Sequence, residues 1–399
     1  MSATDKNRGQ TPGDVNRGLT PYLPFARPTI DEAMIAAVGD TLRSRWIASG
    51  PRVAAFEAAL SEYVGGRPVR VLTSATAAMQ VALEMIGIGP GDEVITPAQS
   101  FFATANVIER TGATTVFVDV ELATRNIDMA QAHAAATPRT RALLPTHFNA
   151  PLDPQALAEF ARRHGARVIE DAALAIGSRV AGRAVGATGD LVSFSFHPNK
   201  NLTTIEGGAL VVSDAREASR VERLRFHGIS RLDDGTRDVE APGAKFNLSD
   251  VAARLGLEQL PHLEGWCRAR ERLAARYFAC LEGDDLLTPE RLPPRNNPGH
   301  SWNMFTVLLP LDEMGMTRRE FVEAMHAKGI GIGISYEAIH LTTHFRRKGF
   351  REGRFPVSER IARETVTLPL YPEMRDSDVD RVCAAVAATV RSPSASASP

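Results

Sequence analysis

The chain has 399 residues, 44% of them hydrophobic, enough to bury a large core and more than one compact domain usually holds. Its formal net charge is -1 and no long single-sign run occurs, which argues against a nucleic-acid partner or an anionic membrane surface and leaves a small molecule as the expected ligand. The three cysteines, Cys267, Cys280 and Cys383, show neither a disulfide framework nor metal-ligand spacing and read as reduced packing residues.

Along the chain, residues 1–20 are polar and lack an apolar leader core, and no later stretch is apolar for long enough to span a bilayer, so a cytoplasmic protein is expected. "AMQVALEMIGIG" (78–89) reads as a helix, and "GPGDEVITP" follows as a turn and a short strand. "TTVFVDV" (114–120), "RALLPTHF" (141–148), "ARVIEDAA" (166–173) and "DLVSFSF" (190–196) read as further strands, with helical stretches such as "PQALAEFARRHG" (154–165) between several of them. Near-continuous apolar strands alternating with helices imply an α/β fold with a mostly parallel sheet covered on both faces. From about residue 265 the texture changes to a long helical run "WCRARERLAARYFACLEG", a Pro-rich linker "LPPRNNPG", short strands and a last helix opening at Asp376 and Ser377. The expected division is therefore a disordered segment 1–20, a large domain 21–264, a smaller α+β domain 265–391 and a disordered Ser/Ala/Pro tail 392–399.

Ligands of open parallel sheets sit beyond the carboxyl ends of the strands. Four such places carry chemistry. In "TSATAAM", Ser74, Ala75 and Thr76 open a helix whose free N–H groups suit an anion such as a phosphate, although ordinary capping uses the same residue types. "VIEDAALAIG" ends a strand in Glu170 and Asp171, a carboxylate able to hold a cationic nitrogen. In "TPAQSFFATAN", Phe101 or Phe102 could cover a ring. The fourth place is "SFSFHPNKNLTTIEGG", where Lys200 follows Ser195 by five residues. Only five of the 46 basic residues are lysines, so a lysine here marks a need that arginine cannot meet: an amine that loses its proton and acts as base or nucleophile. A lysine, an anion site and a carboxylate at one sheet rim are what an internal Schiff base with pyridoxal phosphate requires. No GxxxxGK[ST] or HExxH motif is present, and "GIGPGDE" precedes a strand instead of opening a helix. Among the ten histidines, His197, His227, His300 and His340 draw interest through their neighbours.

"TSATAAM", "GIGPGDEVITP", "GATTVFVDV", "IEDAA", "SFSFHPNKNLTTIEGGALV", "RFHGI" and "APGAKFNLSD" together resemble the DegT/DnrJ family of pyridoxal-phosphate-dependent sugar aminotransferases over about residues 22–391. Within that family the chain is most similar to enzymes that aminate a UDP-linked 4-keto-pentose for lipid A. The resemblance implies a fold-type I transferase whose large domain binds the cofactor, and a homodimer with active sites at the subunit interface. It implies Lys200 as the Schiff-base lysine, Asp171 as partner of the ring nitrogen, Ala75, Thr76 and Ser195 at the phosphate, and Phe101 stacked on the ring. Asn247 would reach the phosphate of the neighbouring subunit, and Tyr336 and His340 would contact the sugar nucleotide. The implied reaction takes an amino group from glutamate, leaving 2-oxoglutarate, and gives it to a keto sugar carried on a nucleotide. Two departures stand out: Leu174 replaces the family's usual Gln or His three residues after the aspartate, and "HFNAPLD" carries Ala150 where the family has glycine. Dehydratase relatives replace the lysine with histidine, so Lys200 speaks against that activity. A cofactor-binding protein without turnover is the remaining alternative.

Overall fold

The structure is a computed structural model that describes residues 21–283 and 285–391. The expected disordered ends, 1–20 and 392–399, lie outside the described residues. Seven strands form the central sheet: β1 (Val69–Leu72), β2 (Glu93–Pro97), β3 (Thr114–Val118), β4 (Thr140–Leu143), β5 (Arg167–Asp171), β6 (Leu191–Ser195) and β7 (Gly208–Val211), in the spatial order β1-β7-β6-β5-β4-β2-β3. The pairs β2/β3, β2/β4, β4/β5 and β5/β6 are parallel. β7 alone runs antiparallel to its neighbours β6 and β1, because residues 196–207, which carry Lys200, return the chain directly instead of crossing the sheet.

β2 to β6 were legible as largely apolar runs because both faces of the sheet are covered, whereas β1 was not singled out. Leu72, Ile169, Leu191 and Leu210 enter one core with helix α3 (Ala75–Met85). Their strand neighbours Val71, Val192 and Val211 turn to the other side, against helix α2 (Pro51–Tyr63) and the helix Asp250–Gln259, where Phe56, Phe194 and Phe196 pack. The helix Pro154–His164 is built as its sequence suggests: Asp153 caps it by accepting from Gln155 N at 2.9 Å, Pro154 sits in the first turn, and Gly165 at φ 62° ends it. Sequence reasoning did not single out α2 or the preceding helix Glu32–Arg43. Asp250, the last residue of "APGAKFNLSD", accepts from Gly50, Arg52 and Val53 N–H groups at 2.8–3.1 Å and so caps α2 from the start of another helix.

A separate core contains Leu23 and residues from Leu273 to Val390. It joins the 19-residue helix Leu263–Leu281, the helix Asp376–Val390 and the antiparallel pair Phe305–Leu308 with Thr365–Leu368. Arg276 bonds Asp380 across the two helices at 2.7 Å.

Candidate active site

The carboxyl ends of β2, β5 and β6 and the amino end of α3 meet at one rim. Ser74 caps α3, its hydroxyl accepting from Ala77 N at 3.0 Å, and this leaves the Ala75 and Thr76 N–H groups without an acceptor in the helix. β7 fixes that helix end from below: a Cβ on Gly208 would lie 2.3 Å from the Ser74 carbonyl carbon and 2.4 Å from Ala75 N. Gly208 lies outside the left-handed region, so the contact and not the backbone conformation demands glycine there. Ser195 is the ladder partner of Gly208, and Ser193 donates to Ala75 O at 3.2 Å. Ala75, Thr76 and Ser195 are thus brought to one donor-rich corner of a kind that suits a phosphate. Replacing Gly208 by Ala should push α3 outward, lower the melting temperature by an amount set by about 1–3 kcal/mol of overpacking, and weaken cofactor binding; an unchanged cofactor titration would contradict this role for the close approach.

Asp171 ends β5, 3% exposed, with its main chain pinned by Asp171 N to Pro145 O at 2.8 Å and His147 N to Asp171 O at 3.0 Å. One carboxylate oxygen accepts from Ala173 N at 3.1 Å. Burial raises the Asp171 pKa, opposed by the Ala173 N–H, Lys200 and His147. A buried carboxylate in this position gains by facing a protonated nitrogen. Its neighbour Glu170 instead accepts from His147 Nε2 at 2.8 Å, while His147 Nδ1 accepts from Leu152 N at 3.0 Å, which settles the ring as the Nε2–H tautomer. The strand alternation thus separates two adjacent acids into different roles.

Lys200 is half-buried, and among the described residues its Nζ has no hydrogen bond. Burial lowers its pKa to about 8, with the Asp171 carboxylate opposing. Because burial disfavours the charged form, the neutral amine is present near physiological pH. Capture of pyridoxal phosphate by the cofactor-free protein should therefore accelerate as pH rises through about 8, followed as growth of visible absorbance; an increase centred near 10.5, the ordinary lysine value, would contradict the burial argument.

Phe101 is 51% exposed and its ring lies 5.5 Å from that of Tyr336, whereas Phe102 is half-buried against an apolar cluster. The fold therefore turns Phe101 and not Phe102 towards open space at the rim. Tyr336 also meets Phe148 edge-on at 5.8 Å, and burial together with the nearby Asp171 charge raises its pKa, keeping the phenol protonated. Asn247 forms an isolated bridge with Leu72, two residues before Ser74, and its amide donates to Ser49 Oγ at 2.5 Å.

His340 is 0% exposed, its Nε2 pairs with Glu359 at 2.9 Å, and its ring packs on Phe117 and Phe355. His300 is also buried, with its pKa pulled down to about 4 by burial, whereas His197 and His227 are exposed. Leu174 is buried, and its carbonyl faces Ser301 Oγ at 3.5 Å. Arg125, which sequence reasoning did not single out, is buried, as are Arg225 and Arg270.

The sheet order, the lysine loop and the donor-rich helix end define a fold-type I pyridoxal-phosphate-dependent enzyme, and the residues present fit the cofactor: free N–H groups for the phosphate, a cradle that a Cβ would fill, a buried acid and an unpartnered amine. The pattern of the DegT/DnrJ/EryC1/StrS aminotransferase family matches residues 28–387, and the chain belongs to this family. It is 38% identical over 377 residues to the spore coat polysaccharide biosynthesis protein SpsC of Bacillus subtilis, covering 92% of this chain and 96% of SpsC. The putative sugar aminotransferase Spr1654 from Streptococcus pneumoniae, solved in its PMP form, superposes with a TM-score of 0.85 at 28% identity, covering 92% of this chain and 99% of that one. DesI, solved in the presence of its TDP-sugar product, superposes with a TM-score of 0.83 at 29% identity over 93% of each chain. The chain is accordingly a pyridoxal-phosphate-dependent aminotransferase.

Proposed function

We propose that the protein transfers the amino group of glutamate to a keto sugar carried on a nucleotide, in the making of a cell-surface polysaccharide or lipid A sugar. The observation that carries this reading is the convergence of Lys200, Asp171 and the α3 amino end at one rim. The names of SpsC, Spr1654 and DesI support a sugar, and DesI supports a nucleotide carrier.

Pyridoxal phosphate, when bound, supplies an electron sink for the carbon that gains or loses the amine. The Ala75 and Thr76 N–H groups and the Ser195 hydroxyl would hold its phosphate. Asp171 would hold the proton on the ring nitrogen through a charge-assisted hydrogen bond. Phe101 would cover the ring, and Lys200, about half of it neutral near pH 8, would take the proton from the donor's carbon and return one to the sugar's carbon. Tyr336 walls the substrate side.

The same reading takes the enzyme as a homodimer in which Asn247 serves the neighbouring site. Exposed Ile35, Leu42, Trp46, Ile47, Ile205 and Phe226 leave apolar surface that a second copy would cover. Three free cysteines suit a reducing, cytoplasmic setting. The experiment is amine transfer from glutamate to a panel of nucleotide-linked keto sugars, with 2-oxoglutarate measured; activity with none of them, alongside activity on an unphosphorylated keto acid, would contradict the reading.

A further inference from the structure

The helices Leu263–Leu281 and Asp376–Val390 run side by side in the same direction, because their ion pairs advance together by four residues. Arg272 pairs with Asp376, and one turn later Arg276 holds both oxygens of Asp380 through Nε and Nη2 at 2.7 and 2.9 Å. The next turn of each helix carries a cysteine. Cys280 follows Arg276 by four residues and Cys383 follows Asp380 by three, the two spacings that keep a side chain on the same helix face. Cys280 Sγ donates to Asp380 Oδ1 at 3.5 Å, which fixes it on the side of its helix that meets the other.

The two thiols differ in setting. Cys280 is exposed, whereas Cys383 is 6% exposed and packs in the same core as Tyr277. Burial raises the Cys383 pKa, followed by the charge of Cys280, a hydrogen bond with Cys280 and the charge of Asp380, with Arg276 opposing. The sulfurs of Cys280 and Cys383 are thus within reach of each other. Cys267 is placed elsewhere: it packs against the core around α2, and a Cβ on Gly177 would lie 2.4 Å from its sulfur.

We propose that Cys280 and Cys383 form a redox site, which a low-molecular-weight disulfide converts into an intrachain disulfide tying the two helices together. The exposed Cys280, as thiolate, attacks one sulfur of the small disulfide; that S–S bond breaks, and one small thiol leaves with a proton from solvent. Cys383 then loses its proton and attacks Cys280 Sγ in the mixed disulfide, releasing the second small thiol. The protein gives up two hydrogens with two electrons, and the small disulfide takes them up. In a reducing setting the pair stays as thiols. The cross-link closes a loop of more than a hundred residues, the case in which it removes most freedom from the unfolded chain. The pair lies apart from the exposed apolar residues assigned to a second copy, and the inference does not rest on the proposed substrates.

The test uses the reduced, full-length protein incubated with oxidised glutathione, alongside Cys280→Ser and Cys383→Ala. Unreduced digests are searched by mass spectrometry for linked peptides, and melting temperatures are taken before and after dithiothreitol. The expected product is one chain with Cys280 joined to Cys383 and Cys267 still a thiol. It should melt about 5 °C or more above the reduced form, a gain that dithiothreitol reverses. Neither variant should gain stability on oxidation, and Cys383→Ala should stop at glutathione on Cys280. Should that buried substitution fail to fold, Cys280→Ser, at an exposed position, carries the comparison. A wild type that keeps glutathione on Cys280 beside a free Cys383, a link to Cys267 or between two chains, or a linked form that melts no higher than the reduced one would overturn the proposal.

Discussion

Lys200→Ala should fold, retain pyridoxal phosphate without a covalent link, and transfer amine at a rate reduced by about 10³-fold or more, the scale of losing a positioned base that is also the attachment point. The fold should survive because among the described residues Nζ has no hydrogen bond, and burial already disfavours its charge. The Lys200 main-chain bond to His197 O at 2.9 Å does not depend on the side chain. Circular dichroism and steady-state kinetics check both halves of the statement. Turnover within about tenfold of wild type, well short of the loss expected for a general base, would remove Lys200 from the chemistry.

Asp171→Asn should lower kcat by about 100-fold or more while leaving the protein as stable as wild type or more so. The amide keeps an oxygen for the Ala173 N–H and keeps the volume, so packing is conserved. What it loses is the negative charge, which burial already disfavours and which only a cation at the ring nitrogen would make worth holding. A kcat close to wild type, with normal cofactor affinity, would show that the carboxylate does not govern the ring's protonation. The two substitutions separate the roles: Lys200→Ala removes the proton carrier, Asp171→Asn weakens the electron sink.

Much of this arrangement was legible in the chain. The strands ending near 97, 171 and 195 are buried on both faces and stood out as largely apolar runs; the acid closes one of them and the lysine lies in the loop that follows another. Lysine scarcity in an arginine-rich chain drew attention to position 200 for a chemical reason. The antiparallel course of β7 was not legible, since its apolar run is the same whichever way it travels. Nor was the reason for Gly208, which lies in a contact with a helix start more than a hundred residues away in sequence. The contacts of His340 were not legible either, because a short motif names a neighbourhood without fixing what a ring faces, here Glu359 and two phenylalanines.

The most direct test of the central claim is to locate the cofactor. The loaded protein would be treated with borohydride to fix the link, digested, and searched by mass spectrometry for the cofactor-bearing peptide. With so few lysines in the chain the answer is unambiguous. The expected result is a single modified peptide containing Lys200; a label on Lys245, Lys328 or Lys348 instead, or no fixed label on a protein that still transfers amine, would contradict the account.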